Sequence, residues 1–255
     1  MNALSLNKLS VAIGGKRVCD ALDLELKPGR CVGILGANGI GKTTLLHTIA
    51  GLREPESGEI RISDDVISHM SRRNIAQQLG LLMQQHEDPF PASVLETALI
   101  GRHPHIDFWQ WESPADISIA KSALDTVDMK SLEDRHIHSL SGGERRRLGI
   151  ATILAQDPDI YLLDEPVDQL DPYYQVSILS HFQRAAHQKN KLIAMSLHDV
   201  NLAARFCDDL LMLFGNGESL FGMTYKVLNP ENLKRLYNIP VRMITTDDAI
   251  VFIPE

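Results

Sequence analysis

Eight consecutive residues, Gly36-Ala37-Asn38-Gly39-Ile40-Gly41-Lys42-Thr43, carry the pattern G-x-x-x-x-G-K-[ST]. The glycines let the backbone turn so that successive N–H groups point inward and form a nest for anionic oxygen. Lys42 can reach β- and γ-phosphates, and the Thr43 hydroxyl can join the shell of a Mg²⁺ ion. A second group stands where the apolar run Ile160-Tyr161-Leu162-Leu163 changes abruptly to Asp164-Glu165-Pro166. Asp164 is placed to hold Mg²⁺, directly or through water, and Glu165 to polarise a water attacking a γ-phosphate. A third is Leu140-Ser141-Gly142-Gly143-Glu144. A serine and two glycines at a helix start make another anion-binding nest, although the same residues also suit an ordinary N-cap.

These residues need elements to hold them. Cys31-Val32-Gly33-Ile34-Leu35 reads as a buried strand before the loop, and residues 44–50 as a helix after it, stopped by Gly51. Strand, glycine loop and helix form the context a phosphate loop requires. Upstream, residues 9–13 and 21–26 predict an antiparallel hairpin beside the loop. The second run alternates strictly, as a half-buried strand does. Residues 58–62 continue that sheet, 71–79 read as a helix and 80–83 as a strand. Runs at 160–163, 192–195 and 210–213 predict further strands, separated by helices near 173–187 and 200–206, and such alternation implies a parallel sheet. Gly215-Asn216-Gly217 turns the chain into a small C-terminal piece, in which 241–246 and 249–253 pair around Asp247-Asp248. In contrast, residues of about 86–140 are rich in helical signals. One helix starts at Pro114 and carries Ile117, Ala120, Leu124 and Val127 at helical spacing.

Composition narrows the class. A net charge of −8 over 255 residues disfavours a general nucleic-acid binder. The sharp basic cluster, Arg145-Arg146-Arg147, reads as a solvated helix face. Cys19, Cys31 and Cys207 are far apart and form no zinc or disulfide framework. No apolar run approaches the roughly 20 residues that span a bilayer. The first residues lack the basic start and apolar stretch of a signal peptide, so a cytosolic protein is expected.

The Leu140–Glu144 stretch resembles the signature motif of ATP-binding cassette (ABC) proteins. Ser196-Leu197-His198-Asp199 looks like that family's switch histidine, whose imidazole can hydrogen-bond the γ-phosphate. Met83-Gln84-Gln85 resembles its Q-loop, whose glutamine reaches Mg²⁺ and the attacking water. Strand register favours Gln84, the first residue after the apolar run, with Gln85 the alternative. The resemblance covers nearly the whole chain and its motifs fall in the family's order. It implies an α/β fold over a single domain, 1–255: a P-loop NTPase (RecA-like) core of about 1–85 and 141–255, with an N-terminal antiparallel β subdomain and an inserted helical subdomain of about 86–140. It implies ATP and Mg²⁺ as cofactors. Catalysis falls to Glu165, His198 and Gln84, and the metal to Thr43, Gln84 and Asp164. The nucleotide falls to Gly36, Asn38, Gly39, Gly41, Lys42, Thr43, Thr44 and Ile13. Ser141, Gly142 and Gly143 would bind the ATP held by a second copy in a head-to-tail dimer.

Four positions depart from the family pattern. Ile13 stands where an aromatic residue usually stacks on adenine. Val167-Asp168 replaces a small polar pair ahead of Leu170-Asp171. Arg146 replaces a frequent glutamine, and Thr152 a usual arginine; these last two are expected to alter helix packing or charge more than the reaction. Leu99-Ile100-Gly101-Arg102-His103-Pro104-His105 is similar to a stretch of importers for ferric siderophores, haem and cobalamin. The resemblance thus implies the ATPase subunit of such an importer, peripheral to the cytoplasmic face of the inner membrane through integral permease subunits, with no nucleic-acid partner. Alternatives are the ATPase of an exporter or lipid-organising complex, or a soluble cassette ATPase acting on nucleic acid or ribosomes. A permease helix would sit in a groove between the Q-loop and the helical lobe. Phe108, Trp109 and Trp111 fill the lobe's core in one reading. The polar neighbours Asp107, Gln110 and Glu112 favour the other, in which at least one ring is exposed near that groove.

Overall fold

The computed structural model describes residues 3–84, 91–107, 109–246 and 250–255; Gln85, Phe108 and Asp247-Asp248 lie outside the described residues. Strands β1 (Leu4–Ile13) and β2 (Lys16–Leu26) form the expected antiparallel hairpin. In residues 21–26 exposed and buried positions alternate strictly, with Leu22, Leu24 and Leu26 inward. Strand β3 (Cys31–Gly36) is buried at all six positions and leads through the glycine loop into α1 (Lys42–Ile49). Strands β4 (Ser57–Ile62) and β5 (Asp65–Val66) complete a four-stranded sheet in the order β2-β1-β4-β5. Ser71 caps α2 (Arg72–Gln78), which feeds β6 (Leu79–Leu82).

Helices dominate the next stretch: α3 (Val94–Leu99), a 3-10 segment at Ile100–His105, α4 (Pro114–Thr126) and α5 (Gly142–Gln156). Capping boxes fix the N-termini of α3, α4 and α5, each with a serine N-cap and an acid at N3. Helix α5 packs on α3, α4 and the 3-10 segment. Gly101 permits the closest approach, since a Cβ there would lie 2.1 Å from the Thr152 carbonyl oxygen. Arg102 seals the same seam by donating to Asp116 Oδ1 at 2.9 Å and to the Ala155 carbonyl at 2.8 Å.

The central sheet then fills in. Strand β7 (Ile160–Leu163), α6 (Pro172–Lys189), β8 (Leu192–Ser196), α7 (Val200–Phe206) and β9 (Asp209–Gly215) follow the predicted alternation. β10 (Glu218–Met223) departs from the sequence expectation: the Gly215–Gly217 turn does not leave the core but folds this strand back antiparallel onto β9. The Asn-Gly pair at 216–217 is a hairpin signal in its own right. The sheet order is β10-β9-β3-β8-β7-β6, parallel from β9 to β6. α8 (Thr224–Val227) and α9 (Pro230–Tyr237) precede the hairpin of β11 (Val241–Thr245) and β12 (Ile250–Pro254). Asn201 of α7 grips that hairpin, accepting from Phe252 N at 2.8 Å and donating to Phe252 O at 3.2 Å.

Two apolar layers sandwich the central sheet. Val32, Ile34, Leu162, Ala194 and Leu211 face α1 and the antiparallel sheet, joining Leu45, Leu46, Leu4 and Leu6. Leu35, Tyr161, Leu163, Ile193 and Met195 face α5, α6 and the helical stretch, joining Phe182, Leu124 and Ile150. Leu45 and Leu46 are fully buried; each such side chain contributes about 1.5–3 kcal/mol by leaving water. That burial holds α1, and with it the glycine loop, on the end of β3.

Candidate nucleotide site

Strands β3, β8, β7 and β6 are neighbours and run parallel, so their C-terminal ends share one edge of the sheet. Ligands in open α/β sheets bind at that edge. β3 ends in the glycine loop, β8 leads to His198, β7 to Asp164-Glu165 and β6 to Gln84. The four motifs, distant in sequence, therefore meet.

The loop cannot take other residues at its turn into α1. Gly41 has φ +109, and a Cβ there would meet Val18 Cγ2 of β2 at 2.4 Å. Asn38 and Gly39 are exposed at the loop's crest, Thr43 is half-buried and Thr44 buried. Lys42 is buried, and its Nζ donates to the Gly36 carbonyl at 2.9 Å. Burial lowers its pKa, while the Glu165 and Asp164 charges oppose that shift.

The acid pair is held by Ser196, the last residue of β8. Ser196 Oγ donates to Asp164 Oδ1 at 2.6 Å and accepts from Glu165 N at 2.8 Å. Asp164 is fully buried, yet its Oδ2 has no hydrogen-bond partner among the described residues. Glu165 lies in the left-handed region, φ +50, a conformation that costs about 1–3 kcal/mol and gathers at functional sites. Its carboxylate collects the two other candidates: Gln84 Nε2 donates to Oε2 at 2.6 Å, and His198 Nε2 donates to Oε1 at 2.5 Å.

The structure does not bring every predicted residue into this cluster. Ser141 caps α5, accepting from Glu144 N at 3.3 Å while its own N–H donates to Glu144 Oε2 at 2.7 Å. Ser141 and Gly142 are exposed, on the outer end of that helix. Ile13, the last residue of β1, is 40% exposed, on the hairpin whose Val18 touches the loop. His103 and His105 build no metal site: His105 Nε2 bonds the Gln156 carbonyl at 2.9 Å, and no metal-ligating cluster occurs among the described residues. Trp109 and Trp111 are each 90% exposed, so neither fills a core. They line a cleft of about 830 Å³ with Arg72, Arg73, Ile100 and Pro104.

One expectation needs correction. Arg145-Arg146-Arg147 is not a solvated face. Arg147 is buried, donating to the Val127 carbonyl at 2.9 Å and lying 4.1 Å from the Tyr174 ring centroid. Arg145 donates to the Leu140 carbonyl at 3.3 Å. Arg146 turns to the ends of β6 and β7, where Nη1 donates to the Met83 carbonyl at 2.7 Å. Arg145 and Arg147 serve the fold, and Arg146 reaches the backbone of the site. Ser196 and Arg146 are thus the residues to which sequence reasoning gave no part in the site.

The family model for ABC transporters matches residues 19–168. The chain belongs to the ABC transporter family. It is accordingly an ATP-binding ATPase. Among ABC relatives, the hemin import ATP-binding protein HmuV of Pseudomonas fluorescens is 37% identical over 93% of both chains. The petrobactin import ATP-binding protein FpuD of Bacillus anthracis is 36% identical over 83% of this chain and 77% of its own. The iron(3+)-hydroxamate import ATP-binding protein FhuC of Bacillus subtilis is 32% identical over 96% and 91%. A metal-chelate type ABC transporter solved in an inward-facing conformation superposes with a TM-score of 0.86 at 29% identity, covering 100% of this chain and 98% of that one. No helix among the described residues is long and apolar enough to cross a membrane.

Proposed function

We propose that this chain is the ATP-hydrolysing subunit of a membrane importer whose cargo is an iron-siderophore, haem or cobalamin-type chelate. The observation that carries the ATPase part is the convergence of Gln84 and His198 on the Glu165 carboxylate beside Lys42. The cargo class rests on relatives named for petrobactin, hemin and iron(3+)-hydroxamate import.

In this reading the glycine-loop amides and Lys42 bind the β- and γ-phosphates, and Ile13 packs on the base. Glu165 accepts a proton from the attacking water, Gln84 orients that water, and His198 contacts the γ-phosphate. The buried, partnerless Asp164 Oδ2 suits a cation, so Asp164, Thr43 and Gln84 would hold Mg²⁺. When bound, Mg²⁺ neutralises charge on the phosphate oxygens. Two copies close head to tail, and each supplies its Ser141-Gly142-Gly143, exposed at the first two, to the other's ATP. Integral permease subunits dock at the Trp109–Trp111 cleft and hold the chain at the cytoplasmic face of the inner membrane. Nucleic acid has no part in it. The division into a core of about 1–85 and 141–255 with a lobe of about 86–140 belongs to the same reading.

Glu165→Gln tests it. The amide keeps the shape and loses the base, so ATP binding persists while hydrolysis falls about 10²- to 10⁴-fold. Light scattering should show a dimer trapped by ATP. Hydrolysis at the parental rate sinks the assignment.

A further inference from the structure

Arg146 lies five residues beyond Ser141 on α5 and is partly buried. Among the described residues its guanidinium donates only to backbone carbonyls, and they come from two places. At the end of β6, Nη1 reaches Met83 O at 2.7 Å and Gln84 O at 3.4 Å. At the end of β7, Nη2 reaches Glu165 O at 2.6 Å and also Asp164 O, while Nε reaches Pro166 O at 3.3 Å. β6 and β7 pair as far as Leu82 and Leu163, so these carbonyls lie just past the last paired residues. A planar fork of five N–H donors spread over three nitrogens can meet five carbonyls on two chain segments; an ammonium, with three donors on one nitrogen, cannot meet them all.

We propose that Arg146 is a positioning residue that fixes Gln84 and Glu165 relative to each other and relays their shifts to Ser141-Gly142-Gly143. The Gln84–Glu165 contact joins two side chains across 2.6 Å, but the last backbone bond between the two segments is Asp164 N to Leu82 O at 2.9 Å. Beyond that bond, Arg146 ties the two backbones together. It sits about 7.5 Å along the helix from Ser141, at about 1.5 Å rise per residue, and a helix moves as a rod over that length. A displacement of the water-orienting pair thus reaches the residues that the helix presents outward. The inference rests on the roles proposed for Gln84, Glu165 and Ser141.

The test uses the full chain with ATP and Mg²⁺. R146K keeps length and charge but loses the fork, and R146Q loses both. Expected for each is a dissociation constant and KM for ATP within about twofold of parental. The same variants should lose at least tenfold in kcat, toward the about 10²-fold that a misplacement of about 1 Å costs. Should R146Q fail to fold, as its melting curve would reveal, R146K decides alone. For the relay, E165Q should dimerise on ATP, while E165Q/R146K should bind ATP with equal affinity and stay monomeric at the same concentration. Parental kcat in folded R146K overturns the positioning role, and equal dimer formation overturns the relay. The E165Q single variant separates the two levels. If it hydrolyses normally, the underlying reading fails; if it is inactive while R146K is fully active, only the Arg146 inference falls.

Discussion

Ser196 and Asp164 are joined by a hydroxyl-to-carboxylate hydrogen bond of 2.6 Å, and the same hydroxyl accepts the Glu165 amide. One buried oxygen thus sets both acids of the site. Ser196→Ala leaves Asp164 Oδ1 and Glu165 N without a partner where water does not reach. Each loss costs about 1–3 kcal/mol. The melting temperature without nucleotide should fall, and hydrolysis should fall with it as Glu165 leaves its left-handed conformation. A variant that melts and turns over as the parent does would show that Ser196 holds neither acid.

Ile13→Tyr should tighten ATP binding. An aromatic ring at the end of β1 adds a stack worth about 0.5–1.5 kcal/mol if it behaves as a side-chain aromatic pair does. Titrations with ATP and GTP on both forms check this. Unchanged affinity, with GTP accepted equally, means that Ile13 lies outside the base pocket.

Trp109→Ala and Trp111→Ala should leave the basal ATPase rate intact, since both rings are exposed and line a cleft that includes none of Lys42, Gln84, Asp164, Glu165 and His198. Binding to the detergent-solubilised permease should weaken, by about 2 kcal/mol where a ring is an interface anchor. Surface-immobilised permease gives the readout. Unaltered affinity in both variants removes the docking role.

Asp116 carries an acid-range prediction. The Ser113 hydroxyl at 2.6 Å, and then the Arg102 guanidinium at 2.9 Å, hold its carboxyl down at about 2. The folded value is below the ordinary one of about 3.9. Its stabilising contribution is therefore complete above about pH 4 and fades as pH falls toward 2. Melting temperatures of the parent and of Asp116→Asn should differ at pH 7 and converge as pH falls from 4 toward 2. A difference that stays constant across that range refutes the assignment.

The sequence spoke clearly where one residue type does one job. Leu22, Leu24 and Leu26 alternate because a half-buried strand must, and Lys42, Asp164 and Glu165 sit in motifs whose chemistry admits few substitutes. It was silent where the partner is a backbone that the fold turns outward. Arg146 looks like any surface arginine until the carbonyls past Leu82 and Leu163 leave the ladder. No local pattern foretells that Glu165 adopts φ +50. Strand β10 was hidden for a related reason. Glu218-Ser219-Leu220-Phe221-Gly222-Met223 has neither alternation nor β-branched residues, and its strand character comes from β9. The meeting of His198 with Glu165 was legible only through the family resemblance, because sheet order, not sequence distance, makes β7 and β8 neighbours.

Asn201 holds both backbone groups of Phe252, three residues after His198. A two-stranded hairpin alone is marginal in water, so β11–β12 draws its order from α7 and from α9, on which it also packs. The Phe252 amide cannot open to solvent unless Asn201 lets go. Its hydrogen-exchange protection is therefore a gauge of the segment that carries the histidine.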